Sequence, residues 1–369
     1  MIYLDNGATS FHKPPEVSRA VHRALASCAN PGRGGYGAAM EAANQVYRTR
    51  EAAGRLFRCS PEQVVFTSNC THGLNIAIRS LVQPGDRVVI SGFEHNAVTR
   101  PLHALGAEML VAGRKLFDWE DTLTEFEDAL RKKPKAAVFT HVSNVFGYIL
   151  PAAEMAMLCR KYGVSFVMDA AQSAGVLEVD LEKLGADFIA MPGHKGLLGP
   201  QGTGLLLCRD GAEPLLYGGT GSESIRQQMP DFLPDRLEAG TLNVPGIAGL
   251  EAGLRYLERV GTDRIFAREH RQLKAAARGL ENLGMRVYHG AHQAGTVSFL
   301  PGMDCEEAAE QLARQGIAVR AGLHCAPLAH ESAGTLGTGT VRVSFGFDAN
   351  DYQTAALIQA ASKLPGWKG

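Results

Sequence analysis

VSFVMDAAQSAGVLEVDLEKLGADFIAMPGHKG, residues 164–196, holds two uninterrupted apolar runs, VSFVMD and DFIAMP, each followed within a few residues by polar residues and glycine. Both runs are short and β-rich. Neither alternates apolar with polar, as a strand with one wet face would, so both read as strands buried on two faces. The second run feeds PGHKGLLGP (192–200), where a lysine beside a histidine is surrounded by glycine and proline. Such a loop is neither a helix interior nor a central strand. Its lysine is there for a reason other than packing.

The same texture extends outward. QVVFTS, DRVVISGF, KAAVFTHVSN and GTGLLLC are further β-rich runs. They alternate with segments of helical period such as HGLNIAIRSLV, EDTLTEFEDALRKK and AAEMAMLCRKYG. Runs of this kind separated by helices imply an α/β fold with a mainly parallel sheet covered by helices on both faces. In such sheets ligands sit beyond the carboxyl ends of the strands. After EAGTLNVPGIAGL (238–250) the texture changes. A long helical stretch, from GLEAGLRYLERV through REHRQLKAAARGLENLG, leads into the smaller units MRVYHG, TVSFLPG, CEEAAEQLARQG, IAVRAG and TVRVSFGF. We therefore expect a large domain over 15–245 and a smaller C-terminal α/β domain over 246–369, with residues 1–14 packing near the latter.

Bulk properties narrow the function. A chain of 369 residues exceeds one ordinary core, and 45% hydrophobic with 20% charged residues describes a soluble globular protein. A formal net charge of −1 argues against nucleic-acid binding. No apolar run approaches the roughly 18 residues of a membrane span. The opening MIYLDNGATS has no basic stretch followed by an apolar one, so no secretory signal is expected there. Seven scattered cysteines without CxxC suggest reduced thiols and a cytoplasmic location.

Polar groups recur directly after the strand-like runs. Asp169 ends VSFVMD, where a carboxylate is costly unless it meets a cation or donors; alone it reads equally as a helix N-cap. Gln172 follows. Lys195 can lower its pKa and form an imine, although a lone lysine is more often a solvated charge or a phosphate ligand. In VVFTSNCTHGLNIAI, residues Cys70, Thr71 and His72 open a helix whose free amides attract an anion, unless Thr71 is merely a cap. His95 and Asn144 follow two further runs. Nucleotide phosphate binding is unsupported, because GPQGTG lacks a P-loop ending and neither GYGAAM nor GTGSES fits GxGxxG. An anion site, a carboxylate for a ring nitrogen, a flat face at His95 and an imine-forming lysine together describe pyridoxal 5'-phosphate.

These motifs resemble those of fold-type I pyridoxal-phosphate enzymes of the class V aminotransferase and cysteine desulfurase family. YLDNGATS, TSNCTHGLN, EHNA, HVSN, DAAQS, GHKGLLGPQGTG, EAGTLN and RAGLHCAPLAH carry the resemblance nearly end to end. It implies Lys195 as the Schiff-base lysine, Asp169 on the pyridine nitrogen, Gln172 near the phenolic oxygen and His95 stacked on the ring. It places Thr71, His72 and His194 around the phosphate, Asn144 near substrate and ring, and Thr241 on the phosphate of a partner subunit in a homodimer. The glycines of GHKG are expected to let the backbone approach the ring. Departures stand at Pro192, where the family often has serine, and at Cys70, where one branch has threonine. LDNAATS has become LDNGATS, and Asp348-Ala349 follows RVS in place of Tyr-Asn.

RAGLHCAPLAHESAGTLGTGTVRVSF (320–345) bears on the reaction. Cys325 lies on a loop rich in Gly, Ala and Thr, and becomes a nucleophile if exposed and favoured as thiolate by cationic neighbours such as His324 or His330. Otherwise it is a small buried hydrophobe. His324, Cys325 and His330 lack a fourth ligand and a recognised zinc spacing, so no metal is expected. Arg342 can clamp an α-carboxylate. The pattern resembles cysteine desulfurases with a short catalytic loop, a branch that includes selenocysteine lyases. It implies conversion of L-cysteine to L-alanine with a persulfide on Cys325, Lys195 moving the α-proton and His95 as acid/base partner, and a sulfur-acceptor protein downstream. A selenocysteine lyase, another β-lyase and a sulfur-carrier scaffold are the alternatives.

Overall fold

The computed structural model describes residues 1–32 and 34–364. The chain opens with β1 (Ile2–Tyr3), α1 (Pro15–Ser27) and α2 (Gly37–Phe57). Next come β2 (Val64–Thr67), α3 (Cys70–Leu81), β3 (Arg87–Ser91), α4 (Asn96–Ala104), β4 (Glu108–Ala112) and α5 (Trp119–Leu130). The central stretch continues with β5 (Ala136–Thr140), α6 (Ala152–Tyr162), β6 (Ser165–Asp169), α7 (Leu181–Leu184), β7 (Phe188–Pro192) and β8 (Gly204–Cys208). Then follow α8 (Val244–Val260), α9 (Thr262–Asn282), β9 (Arg286–Tyr288), β10 (Thr296–Leu300) and α10 (Cys305–Arg314). Last are β11 (Ile317–Ala318), β12 (Arg320–Gly322), α11 (Pro327–Ala333), β13 (Thr340–Ser344) and α12 (Asp351–Ala361).

Seven strands form the main sheet, in the order β2-β8-β7-β6-β5-β3-β4. The pairs β3–β4, β3–β5, β5–β6 and β6–β7 are parallel, whereas β8 is antiparallel to both β7 and β2. Reversing twice through β8 leaves β2 running with the others. Six strands thus end at one edge of the sheet.

The uninterrupted apolar runs have a simple cause. Successive residues alternate between two cores: Val65, Val138, Val167 and Leu206 pack on one face with Leu74 and Ile78 of α3. Phe66, Phe139, Met168 and Leu207 pack on the other with Phe126, Met155 and Leu250. With helices on both sides, no strand position needs to be polar. The edge strand β4 is only half-buried, and its EMLVA gave no such run.

Between α8 and α9 the expected single helical stretch is broken at Gly261, whose φ of +88° suits glycine. α8 packs against α1 and α2, with Ile247, Leu250 and Leu254 in the core of the main sheet. α9 instead joins a third core of Leu273, Val297, Phe299, Val341 and Leu357. That core lies on a four-stranded antiparallel sheet, β12-β13-β10-β9. IAVRAG is split between β11 and β12, and β11 pairs with β1. The N-terminal segment is further tied to β13, since the Asn6 amide donates to the Ser344 carbonyl and the Gly7 amide to the Ser344 hydroxyl. Among the described residues no helix is long and apolar enough to cross a membrane.

Candidate active site

Asp169 is the last residue of β6 and is 2% exposed. Its Oδ1 accepts the Ala171 amide at 2.8 Å and the Cys70 thiol at 3.3 Å, and turns rather than a helix follow. It is not a helix cap. Cys70 is the first residue of α3, and the cap of that helix is Asn69, whose Oδ1 accepts the His72 amide at 2.9 Å. Thr71 is therefore released from capping, and its side chain is exposed. Burial and the Asp169 charge push the Cys70 thiol well up, so it stays protonated and donates. Nδ1 of His72 accepts the Ser68 amide, while its Nε2 is buried without a partner.

Lys195 follows β7 in a loop gripped by the N-terminal segment. The Ser10 hydroxyl donates to the carbonyls of His194 and Lys195, each at 2.9 Å, and the Ser10 amide donates to His194 at 3.1 Å. The lysine's pKa is pushed down, by burial first and by Arg342 also, against the pull of Asp169. His194 Nδ1 meets the Thr9 hydroxyl at 3.0 Å, and burial beside Lys195 and Lys13 takes its pKa to about 4. The glycines of GHKG serve protein contacts: a Cβ on Gly193 would overlap the Thr203 hydroxyl, and one on Gly196 the Ala174 carbonyl. Gln172 donates to the Gly7 carbonyl at 2.9 Å.

His95 caps α4, its Nδ1 accepting the Ala97 amide at 3.0 Å, so its proton is assigned to Nε2. Burial lowers its pKa, Asp169 raises it, and Lys195, Arg100 and Arg342 lower it again. Beside it, Glu94 is fully buried. Its Oε1 accepts the Ser91 amide and hydroxyl and the Thr140 amide, bridging the ends of β3 and β5, while Oε2 has no partner. Burial pushes this carboxyl up to about 8. Its place in EHNA, beside His95, gives no sign of this burial in the sequence.

Arg342, on β13, is 2% exposed. Its Nη2 pairs with Asp5 Oδ1 at 2.5 Å and its Nη1 donates to the Asn144 carbonyl at 3.0 Å, leaving Nε buried and unpaired. Asn144 donates through Nδ2 to the His324 carbonyl at 2.8 Å, and its Oδ1 is unpaired. Cys325 is exposed, and its carbonyl accepts the Asn96 amide at 2.7 Å. Both His324 (φ +49°) and Cys325 (φ +57°) are left-handed. The expected cationic neighbours are absent: His324 is buried with Nε2 on the Thr340 carbonyl at 3.2 Å. Burial holds it at about 2 and His330 at about 4, so both are neutral near pH 7.

One edge of the sheet therefore gathers Cys70, His95, Asn144, Asp169 and Lys195, with Arg342 and the Cys325 loop brought against them from the second sheet. Residues 2–357 match the family model of aminotransferase class-V. The chain belongs to the class-V aminotransferases. A "Probable cysteine desulfurase" of Pyrococcus abyssi is 32% identical over 360 residues, 94% of this chain and 89% of that one. Another of that name, from Methanothermobacter thermautotrophicus, is 33% identical over 380 residues, covering 97% and 92%. The apo structure of a cysteine desulfurase from Thermococcus onnurineus superposes with a TM-score of 0.90 at 33% identity, covering 98% of this chain and 94% of that one.

Two features of this class-V aminotransferase lay outside the sequence reading. Asp5, the partner of Arg342, sits in the quoted YLDNGATS, and Ser10 in the same stretch grips the lysine loop. Thr241 is not brought to the cluster: it is exposed and lines a separate cavity with Tyr47, Arg50 and Glu238.

Proposed function

We propose that this chain is a cysteine desulfurase that uses pyridoxal 5'-phosphate to convert L-cysteine to L-alanine, retaining the sulfur as a persulfide on Cys325. The observation that carries the reading is the placement of an exposed thiol on a loop hydrogen-bonded to Asn96, next to His95, and to Asn144, which also holds Arg342.

The residues present fit the cofactor. His72 Nε2 and Asn144 Oδ1 are buried without partners, and Asp169 Oδ2 has no donor among the described residues. The Cys70 and Thr71 amides likewise open the N-terminus of α3 without an acceptor among the described residues. These groups suit a phosphate at one end and a ring N–H at the other. Lys195, Asp169, Gln172, His95, Cys70, Thr71, His72, His194 and Asn144 would hold it, with Thr241 serving a second copy in a homodimer. When bound, the cofactor supplies the electron sink that makes the α-proton of an amino acid removable.

The rest is the work of this chain's side chains. Arg342 takes the substrate carboxylate through its free donors, Asp5 fixing the plane of the guanidinium. Lys195 Nζ, desolvated and so readily neutral, receives the proton from the substrate α-carbon. His95 Nε2–H donates toward the same space. The Cys325 thiolate attacks the substrate sulfur, forming an S–S bond as the carbon–sulfur bond breaks. Its electron pair passes to carbon, which takes up a proton and leaves as alanine.

Alanine and sulfide release from L-cysteine under reductant tests the reading, with L-selenocysteine alongside and Cys325→Ala beside the parent. Loss of the cysteine reaction in the variant is expected. Parent-rate alanine release from cysteine by Cys325→Ala would transfer the assignment to a selenocysteine lyase or β-lyase.

A further inference from the structure

The geometry points to Cys70 as a positioning residue: its thiol and the Ala171 amide occupy one oxygen of Asp169 and so reserve the other, oriented, for a ring N–H. The inference rests on the pyridoxal-phosphate reading above and deepens it at a residue where this chain departs from threonine.

Three observations carry it. Both donors, at 2.8 Å and 3.3 Å, fall on Oδ1, and Oδ2 receives none among the described residues. A carboxylate with one oxygen doubly engaged cannot rotate without breaking both bonds, so Oδ2 is aimed. The thiol is itself held. Cys70 is the first residue of α3, that helix is capped independently by Asn69, and Gly73 brings it onto the strands, where a Cβ would meet Ala190 at 3.3 Å and Leu206 at 3.4 Å. Finally, the donor survives across the working pH range. A thiol donates only while protonated, and burial together with the Asp169 charge keeps this one so. Cys325, the other cysteine of the site, is exposed instead. The two thiols thus have separate tasks, one orienting a carboxylate and one meeting substrate.

A small buried hydrophobe that merely fills space is the competing account, and shape can be separated from donation. Cys70→Val keeps apolar bulk without a donor, Cys70→Ala removes both, and Cys70→Ser keeps a donor. The readouts are the affinity for pyridoxal phosphate by equilibrium dialysis and the pH midpoint of the bound cofactor's visible band. Without the thiol donor Asp169 accepts the ring N–H more strongly and leaves the ring less electron-withdrawing, so the midpoint moves up. We expect that rise for Cys70→Ala and Cys70→Val, with affinity weakened about three- to tenfold, the scale of one weak charge-assisted hydrogen bond. Cys70→Ser should keep the parent midpoint. If the alanine and valine variants bind and titrate like the parent, or if the serine variant moves as far as they do, Cys70 does not orient Asp169. A parent chain that takes up no cofactor would instead overturn the functional reading itself.

Discussion

The carbonyl of Cys325 accepts the amide of Asn96 at 2.7 Å. Asn96 opens α4, the helix that His95 caps, and a first-turn amide has no partner inside its own helix. The thiol loop supplies one. Asn144 donates to the preceding carbonyl, that of His324, so two successive left-handed residues are held by donors from two different strand ends. A conformation that L-residues adopt rarely is maintained here by its surroundings, with the thiol facing outward.

Exposure then separates the cysteines. In the native protein, iodoacetamide should label Cys325 first. Cys70, Cys159, Cys208 and Cys305 are buried, and burial pushes up the pKa of each of those four thiols. Peptide mass spectrometry over a time course reads this directly. Fastest labelling at a buried site would mean the loop does not present its thiol.

Borohydride reduction of the yellow holoenzyme should fix the cofactor to Lys195 and to no other lysine. Asp169→Ala should keep the fold and lose a hundredfold or more in turnover, the typical scale of an electrostatic contribution at a reacting centre. Near-parent turnover would reduce Asp169 to a structural carboxylate.

Arg342→Ala removes the proposed substrate clamp and also strands Asp5. We expect KM for cysteine to rise by about tenfold or more, the scale of a charge-assisted hydrogen bond, together with a lower Tm from the unpaired carboxylate. Asp5→Asn should disturb KM less and in the same direction, because the guanidinium keeps its bond to the Asn144 carbonyl. Steady-state kinetics on both variants checks the order.

Glu94 makes stability depend on pH. Its carboxyl sits near 8 when folded against an ordinary value of 4.5, so between those limits the folded chain holds a proton that the unfolded chain has released. Its contribution is most favourable below about pH 4.5, declines as pH rises and levels off above about 8. Glu94→Gln keeps the acceptor for Ser91 and Thr140 and removes the titration. Its Tm should exceed the parent's at pH 8 and converge on it below about pH 4.5. Glu269, also pushed up to about 8, remains in both proteins and cancels from the comparison.

The strands of the main sheet could be read because each residue feeds one of two dry cores, a condition written directly into composition. β4 escaped, since an edge strand is half wet and loses that signature. Asp169 and Lys195 were visible as polar residues at the ends of such runs. Their settings were not: the thiol on Asp169 comes from 99 positions away, and Asp5 reaches Arg342 across 337. Side-chain direction was hidden in the same way. His324 adjoins Cys325 in sequence, yet its ring turns to Thr340 on β13, and only the folded sheet decides that.

Asn6 and Ser344 bond across 338 positions, and among the described residues β1 pairs in a sheet with β11 alone. The segment that braces the lysine loop through Ser10 is therefore anchored at its other end by a residue made 338 positions after Asn6. A chain cut short before β13 would keep every strand of the main sheet and Lys195, yet lose the hold that Ser344 has on Asn6 and Gly7. Refolding from denaturant must close the same contact, and a pairing so distant in sequence closes slowly.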